Sequence, residues 1–182
     1  MNESNGTRVI DSPVGPILLV ANESGLTHVL FANEEGKPRP FHGDPAGDES
    51  SAARRVLDQA EKQLGEYFAG RRREFDLPLA PEGTEFQQAV WNGLREIPFG
   101  KTRSYGELAD HVGRPKAVRA VGAANGANPI SIIVPCHRVI GSDRSLTGFG
   151  GGLPAKRTLL ELEGLTLIGD RVDASPGRTL FG

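Results

Sequence analysis

The chain is poor in cysteine and has no long apolar run. Cys136 is the single cysteine among 182 residues, which excludes an intramolecular disulfide and a zinc site built from cysteines. In the N-terminal region, His28 and His42 are too few ligands for zinc. No stretch approaches the roughly 18–20 apolar residues of a membrane helix. Residues 1–6 lack the basic and apolar parts of a signal peptide. We therefore expect a cytoplasmic protein without metal or membrane contact.

A large excess of charge of either sign is also missing, because the formal net charge is −2. The distribution of charge is nevertheless uneven. Residues 1–50 carry three basic and eight acidic side chains, whereas residues 101–138 carry six basic and two acidic ones. The region around Cys136 is therefore locally positive. This favours an anionic partner, although an ordinary solvated surface has the same composition.

The N-terminal part of the chain has the pattern of a small antiparallel sheet followed by a helix. Three short β-rich runs, separated by turn residues, cover residues 7–10, 16–20 and 26–31. A helix is predicted from Ser51 to Phe68, and Gly70 ends it. The apolar side chains that recur at spacing four are Val56, Ala60, Leu64 and Phe68.

The rest of this part predicts a loop, an edge strand and a linker. Residues 33–49 are polar and rich in Gly and Pro, which favours a loop. Residues 71–77 are predicted as an edge strand, and their triple arginine is either a phosphate clamp or, as we favour, a solvated strand end. Residues 78–83 have the composition of a linker. The predicted division is an N-terminal domain 1–82, a functional domain 83–170 and a C-terminal tail 171–182.

A helix-turn-helix is predicted shortly before the cysteine. A first helix is expected over residues 84–97. Ser104 and Glu107 then have the spacing of a capping box, which predicts the start of a short amphipathic helix. Pro115 suits the first turn of the next helix, expected over residues 116–124. The pair of short helices has helix-turn-helix proportions.

The second of these helices carries small residues on its outer face. Glycine in an exposed helix costs about 1 kcal/mol relative to alanine, so another backbone that approaches closely would explain it. The expected apolar face is Ala117, Val118, Ala120, Val121 and Ala124. The expected outer face is Lys116, Arg119, Gly122, Ala123 and Gly126. We favour nucleic acid as the close neighbour over tight packing within the protein.

Cys136 follows an apolar run and is flanked by Pro135 and His137. Free cysteine is usually buried and inert. As a nucleophile it needs a base, because a thiol with a reference pKa of about 8.5 is mostly protonated at neutral pH. Neighbouring side chains in an extended strand point to opposite faces. Therefore either the chain turns at Cys136, or a water joins the sulfur to the imidazole.

A second ionisable group points inward near the end of the chain. A helix is predicted over residues 154–163, with Gly164 just past its end. Glu163 shares the apolar face of this helix, and its carboxylate opposes the helix dipole. An inward-facing acid needs a cationic or hydrogen-bonding partner. Two partners explain the inward position of Glu163 equally well. The carboxylate either orients a histidine or forms an ion pair with an unrelated arginine.

These segments resemble the O6-alkylguanine-DNA alkyltransferases, also called methylated-DNA–protein-cysteine methyltransferases. The resemblance rests on residues 135–139, together with 104–105, 115–122, 125–129, 146–153 and 163–164. It implies a two-domain α/β (α+β) fold. The N-terminal domain would be a ribonuclease-H-like antiparallel sheet with a helix, mainly structural. The C-terminal domain would be mostly helical and contain the helix-turn-helix.

The resemblance implies double-stranded DNA as the partner and O6-methylguanine as the lesion, with O4-methylthymine or larger O6-alkyl groups as lesser candidates. The second helix of the helix-turn-helix would enter the minor groove. Arg119 would take the space of the extruded nucleotide. The expected DNA contacts are Arg119, Lys116, Ala120, Gly122, Ala123, Gly126 and Arg138. A monomer is expected, with cooperative assembly on DNA left open.

The resemblance also implies a single, irreversible transfer without a cofactor. Cys136 would attack the alkyl carbon, His137 would take the thiol proton through a water, and Glu163 would fix the imidazole. Tyr105 would donate to N3 of the leaving guanine, and Asn128 would brace the turn that holds the cysteine. The other expected pocket residues are Val139, Phe149, Gly150 and Lys156.

Two positions depart from the pattern of this family. Phe149 stands where tyrosine is common, and Gly150 stands where several relatives have a small polar residue. A side-chain hydroxyl contact is thereby lost, although the backbone donor at residue 150 remains. The preference for bulky adducts is therefore left open.

Two other functions remain as hypotheses. A cysteine-dependent hydrolase or acyl transferase would use Cys136, His137 and Glu163 and would turn over many times. A DNA-binding sensor that flags lesions without chemistry would have no use for the thiol. Counting adducts per protein molecule separates these three functions.

Overall fold

The computed structural model describes residues 5–37 and 49–174. The chain divides into two compact units. One unit contains the residues up to Glu82 together with Pro129–Ser131, and the other contains Gly83–Asn128 and the residues from Ile132 onward. The division after Glu82 falls within the Pro- and Gly-containing stretch that reads as a linker.

The N-terminal unit contains a three-stranded antiparallel meander. Its strands are β1 (Gly6–Ile10), β2 (Ile17–Asn22) and β3 (Gly25–Phe31). They are hydrogen-bonded in the order β1-β2-β3. Every residue of the central strand β2 is buried. The three predicted strands are confirmed, because turn residues between them define where each strand ends.

One long helix, α1 (Ser51–Phe68), packs against all three strands. Ser50 caps it by accepting a hydrogen bond from the N–H three residues later at 3.1 Å. Gly70, with φ of 75°, follows its end. The predicted helix is confirmed, but its buried face ends at Tyr67, which is fully buried, and not at the half-buried Phe68. A row at spacing four drifts off the face, because one helical turn has 3.6 residues.

The outer edge of β3 is covered by two segments of the same unit. The N–H of Leu26 donates to the carbonyl of Pro78 at 2.8 Å. The N–H of Val29 donates to the carbonyl of Pro129 at 2.9 Å, and the N–H of Ser131 donates back to Val29 at 3.3 Å. These bonds satisfy backbone groups that would otherwise be open to another strand.

The edge strand predicted over residues 71–77 is wrong. The segment is irregular, and its polar groups bond to α1. Arg72 Nε pairs with Glu66 Oε2 at 3.1 Å. The side-chain amide of Gln63 bonds to both backbone groups of Asp76, each at 2.9 Å. Side-chain hydrogen bonds thus replace the strand ladder.

The C-terminal unit is mostly helical. Its elements are α2 (Glu85–Arg95), β4 (Arg103–Ser104), α3 (Tyr105–His111), α4 (Val118–Gly126), β5 (Val139–Ile140), α5 (Leu153–Leu162), β6 (Leu167–Ile168) and β7 (Arg171–Val172). β4 pairs with β5 in parallel, and β6 pairs with β7 antiparallel. No helix in the described part of the chain has both the length and the hydropathy needed to cross a membrane.

The start of the helix-turn-helix is as predicted. Ser104 Oγ accepts from the N–H of Glu107 at 3.1 Å, and Glu107 Oε1 accepts from the N–H of Ser104 at 3.0 Å, which is the predicted capping box. Trp91 on α2 donates from Nε1 to the carbonyl of Ala124 on α4 at 2.8 Å. This bond connects α4, the second helix of the motif, to α2, the helix that precedes the motif.

The second helix of the motif begins later than predicted. α4 starts at Val118, and Pro115 and Lys116 lie in a separate turn. The N–H of Ala117 donates to the carbonyl of Arg114 at 2.9 Å, which closes this turn before the helix begins. Proline is therefore a turn residue here and not the first residue of a helix.

Two predicted segments lie partly outside the described residues. Most of the loop predicted over 33–49 lies outside them, as do residues 175–182 of the predicted tail. The part of that tail which is described is ordered, since Arg171–Val172 forms β7. Val172 is buried in an apolar cluster with Ile140, Leu146 and Leu160. The first residues of the predicted tail therefore form part of the C-terminal unit.

Candidate active site

The chain turns sharply at the cysteine. Cys136–Arg138 form one turn of 3₁₀ helix between Pro135 and β5. The N–H of Cys136 donates to the carbonyl of Val134 at 2.8 Å. The turn places three functional side chains in the interior, because Cys136, His137 and Arg138 are 6%, 0% and 6% exposed. The turn at Cys136, one of the two sequence alternatives, is therefore present.

Asn128 braces the loop that leads into this turn. Its Nδ2 donates at 2.8 Å to the carbonyl of Val134, the same oxygen that accepts from Cys136. Ile132 within the loop has φ of 71°, a conformation that is unfavourable for a β-branched residue. The hydrogen bonds to the carbonyl of Val134 thus brace a loop that contains a strained residue four positions before Cys136.

Glu163 is hydrogen-bonded to a histidine and to an arginine, the two partners that the sequence left open. It ends α5 and is 4% exposed. His137 Nε2 lies 2.6 Å from Oε2. Arg138 donates from Nε to Oε1 at 2.7 Å and from Nη2 to Oε2 at 3.2 Å. The N–H of Gly100 donates to Oε1 at 3.1 Å. These four hydrogen-bond donors compensate for the water that the buried carboxylate has lost.

These contacts determine the protonation states. Burial alone would raise the pKa of Glu163, but the hydrogen bonds and positive charges of His137 and Arg138 outweigh it and lower that pKa from 4.5 to about 2. Burial lowers the pKa of His137, and Glu163 opposes this only in part. At neutral pH the pair is therefore a carboxylate and a neutral imidazole.

The hydrogen bond to Glu163 fixes which imidazole nitrogen is basic. A neutral imidazole has one N–H and one lone pair. Since Nε2 of His137 donates to the carboxylate, the lone pair is on Nδ1. Nδ1 is buried and has no hydrogen-bond partner among the residues that the structure describes. It is available to take a proton.

A buried lysine lies beside the thiol. Lys156 on α5 is fully buried, and its Nζ donates to the carbonyls of Val139 at 2.6 Å and Thr147 at 3.0 Å. Burial lowers its pKa to about 8, and the charge of Cys136 opposes that shift. A cation at this position favours the thiolate form of a cysteine.

Thr147 connects its segment to the start of the helix-turn-helix. Thr147 Oγ1 donates to the hydroxyl oxygen of Tyr105 at 2.9 Å. Tyr105 is half-buried at the start of α3, and its own hydroxyl proton remains for an acceptor. Phe149 is half-buried and Gly150 is exposed. The segment is also joined to α5, since Lys156 donates to the carbonyl of Thr147.

The expected outer face of α4 is only partly as predicted. The exposed residues of the helix are Val118, Arg119, Ala120, Ala123 and Gly126. Val118 and Ala120 were expected on the apolar face, which consists instead of Val121, Ala124 and Asn125. Gly122 faces Tyr105, since a Cβ there would lie 3.6 Å from the ring. Lys116 is exposed in the preceding turn, off the helix.

The structure contradicts the prediction that Arg138 contacts DNA. Its guanidinium is buried and bonded to Glu163, and Nη1 donates to the carbonyl of Ile97 at 2.6 Å. A guanidinium engaged in this way cannot meet a surface phosphate. The residue belongs to the interior network around His137.

Sequence reasoning missed the groups that act through the backbone. Gly100, Ile97 and Thr147 contribute an N–H or a carbonyl to this network, and no side-chain pattern signals such a contribution. The described residues contain no group of three or more His, Cys, Asp or Glu side chains that could hold a metal ion. His42 lies outside them.

The fold and site define a thiol-dependent group-transfer protein with a DNA-binding motif. The model of the 6-O-methylguanine DNA methyltransferase ribonuclease-like domain matches residues 7–81, and that of the DNA binding domain matches residues 85–165. The chain belongs to this methyltransferase family. The family resemblance and the fold class predicted from the sequence are thereby confirmed.

Individual relatives agree with this assignment. A methylated-DNA–protein-cysteine methyltransferase of Methanosarcina acetivorans is 53% identical over 156 residues, which cover 86% of this chain and 96% of that protein. The crystal structure of the Mycobacterium tuberculosis O6-methylguanine methyltransferase has a TM-score of 0.73 at 48% identity, covering 87% of this chain and 92% of that one. The Mycobacterium tuberculosis OGT in complex with DNA has a TM-score of 0.71 at 49% identity, covering 86% and 91%.

Proposed function

We propose that this protein repairs DNA by direct reversal, transferring the alkyl group of O6-alkylguanine irreversibly to Sγ of Cys136. O4-alkylthymine is a lesser substrate. The observation that carries the proposal is a buried thiol followed directly by a neutral imidazole, whose other nitrogen is fixed by Glu163 at 2.6 Å. Relatives at about half identity named as methylated-DNA–protein-cysteine methyltransferases support it.

The proton leaves the thiol before or as the sulfur attacks. His137 Nδ1 takes it through a water, and Glu163 stabilises the imidazolium that forms. Sγ of Cys136 then attacks the alkyl carbon in line, so the S–C bond forms while the C–O6 bond breaks. Lys156 favours the thiolate by its charge. The product is a thioether, which thiol exchange cannot reverse.

Guanine is a poor leaving anion and needs a proton. Tyr105 donates it to N3, and the hydrogen bond that its oxygen accepts from Thr147 strengthens the hydroxyl as a donor. The N–H of Gly150 meets O6, and the carbonyls of Cys136 and Val139 read the exocyclic amine. Val139 already accepts from a lysine, but a carbonyl has two lone pairs and can accept again. Phe149 lines the pocket.

The DNA surface is the exposed side of α4. A sulfur atom cannot reach O6 inside the duplex, so the nucleotide must leave the stack. Small side chains let the helix approach the minor groove closely, and Arg119 fills the space of the extruded nucleotide. The DNA-contacting residues are Arg119, Ala120, Ala123 and Gly126 on α4, together with Lys116 in the turn before it. Gly122 leaves the predicted set, because it is half-buried and faces Tyr105. The solved relative in complex with DNA supports DNA as the partner.

We further propose that the protein acts as a monomer without a metal or organic cofactor. Each step uses only groups of the chain and the substrate. A reactive thiol persists in a reducing compartment, which favours the cytoplasm.

Intact-mass measurement tests the proposal. The protein is mixed with an excess of duplex containing O6-methylguanine under reducing conditions, and Cys136→Ala is the control. We expect one added methylene per molecule, located on the Cys136 peptide, and no turnover after that. Many demethylated lesions per molecule would instead show a cysteine hydrolase. DNA binding without an adduct would show a lesion sensor.

A further inference from the structure

Arg138 joins three segments of the C-terminal unit. Nε and Nη2 donate to the two oxygens of Glu163 at 2.7 and 3.2 Å. Nη1 donates to the carbonyl of Ile97 after α2 at 2.6 Å. Cζ lies 5.9 Å from the ring centroid of Phe99, within the range of a cation–π contact. Each nitrogen of the guanidinium therefore has an acceptor inside the protein.

The fork of Arg138 determines how Glu163 faces the imidazole. A planar guanidinium that donates to both oxygens fixes the plane of a carboxylate. Oε2 of this carboxylate is the oxygen that lies 2.6 Å from Nε2 of His137. The N–H of Gly100 holds the other oxygen at 3.1 Å. The position of the oxygen that selects the imidazole tautomer thus depends on Arg138.

Arg138 also balances the charge next to His137. Burial lowers the pKa of His137 most, Glu163 at the end of α5 raises it, and Arg138 on the 3₁₀ turn and Lys156 on α5 lower it. From the loop after α2, the network receives the uncharged carbonyl of Ile97. A carboxylate without a counter-ion would favour an imidazolium, in which Nδ1 is no longer an acceptor.

We propose that Arg138 is a positioning residue for alkyl transfer: its guanidinium orients Glu163 and balances its charge, so that His137 stays neutral and Nδ1 accepts the thiol proton. This inference rests on the proposed function, because it adds a residue to the same reaction. A buried ion pair that supports only the fold would leave the protonation of the imidazole unchanged.

The test compares two substitutions that separate charge from geometry. Arg138→Gln removes the charge, and Arg138→Lys keeps the charge but loses the fork. Arg72→Gln is the matched control, since Arg72 forms a half-buried ion pair with Glu66 in the N-terminal unit. The single-turnover rate of transfer from free O6-methylguanine base is measured against pH. NMR of isotope-labelled histidine reports the protonation of His137.

We expect the acid limb of the rate profile and the imidazole titration to move up together in Arg138→Gln. A shift of about one pH unit lowers the rate about tenfold at pH values well below the original midpoint. Arg138→Lys should keep the acid limb but reach a lower plateau, because a single ammonium does not fix the carboxylate plane. Arg72→Gln should match the unsubstituted protein.

An unshifted rate profile with a neutral imidazole in Arg138→Gln would overturn the inference. Should that variant fail to fold, Arg138→Lys decides. A plateau equal to that of the unsubstituted protein then overturns the inference, and a lower plateau with an unshifted acid limb supports it. Failure of the proposed function is recognised separately, as the absence of an adduct on Cys136 in the unsubstituted protein.

Discussion

The interior around Cys136 and the exposed side of α4 are built on opposite principles, although both belong to the C-terminal unit. In the interior, two cations, a carboxylate and an imidazole are each buried and bonded to protein groups. On the exposed side of the helix, one arginine stands among valine, alanine and glycine. The first region has many polar contacts, and the second has mostly small side chains.

The difference follows from what each region must do. Chemistry on a carbon atom needs groups with defined protonation states, and burial with fixed partners provides them. Entry into a groove needs little steric bulk and one side chain that can replace a base. We therefore expect substitutions in the interior to affect both reaction and stability, and substitutions on the helix to affect DNA alone.

Cys136→Ala should have the largest effect on the reaction and the smallest on DNA binding. Transfer should be abolished because no other thiol is present. Affinity for duplex DNA should stay within a few-fold, because the thiol is buried and is not part of the exposed side of α4. Intact mass and fluorescence anisotropy measure the two quantities. Loss of binding together with transfer would break the separation of the two regions.

Glu163→Gln should affect reaction and fold together. It removes the partner of a buried arginine, which typically costs about 3–5 kcal/mol of stability, and it removes the group that fixes the imidazole. Chemical unfolding and single-turnover transfer provide the readouts. Glu161→Gln is the matched control, since that residue ends the same helix but is exposed. Equal behaviour of the two variants would contradict the proposed network.

Stability should fall as the solution becomes acidic, in two stages. The pKa of His137 is lowered in the folded protein, so stability begins to fall as pH drops below 6.5. The pKa of Glu163 is lowered from 4.5 to about 2, so its contribution is present above pH 4.5 and lost as pH falls toward 2. The second stage amounts to about 3 kcal/mol.

Denaturant unfolding at a series of pH values measures this dependence. Glu163→Gln should show a flatter slope than the unsubstituted protein between pH 4.5 and 2. The same slope in both proteins would mean that the carboxylate is not stabilised by the interior network.

Arg119→Ala should weaken repair of duplex much more than transfer from the free base. Only the duplex requires extrusion, which takes a few kcal/mol, so a loss of about 2 kcal/mol or roughly 30-fold is expected. Rates on O6-methylguanine duplex and on free O6-methylguanine base give the ratio. A similar loss on both substrates would rule out the extrusion role.

Ala123→Leu should have the smallest effect, confined to DNA affinity. The added bulk on an exposed position should weaken duplex binding about tenfold, or about 1.4 kcal/mol, without changing stability. Gln59→Leu on the exposed side of α1 is the matched control. Unchanged affinity in Ala123→Leu would show that this side of α4 does not approach the groove.

Local signals in the sequence predicted local structure well. Three features could be predicted because each depends on a few neighbouring residues. They are the capping box at Ser104, the meander that ends at residue 31 and the glycine after α5. Predictions failed where distant groups compete. Residues 71–77 bond to α1 instead of a sheet, and Arg138 turns inward to a carboxylate that is 25 residues away in the chain.

The amino-acid sequence by itself indicated the family and the helix-turn-helix and predicted the nucleophile and the adjacent base, because these depend on residue identity and short spacing. Only the tertiary structure decided what Glu163 contacts and which side of α4 is exposed. It also decided the buried role of Arg138. The physical reason is that protonation and orientation are set by burial and by partners brought together from separate segments, which no local pattern specifies.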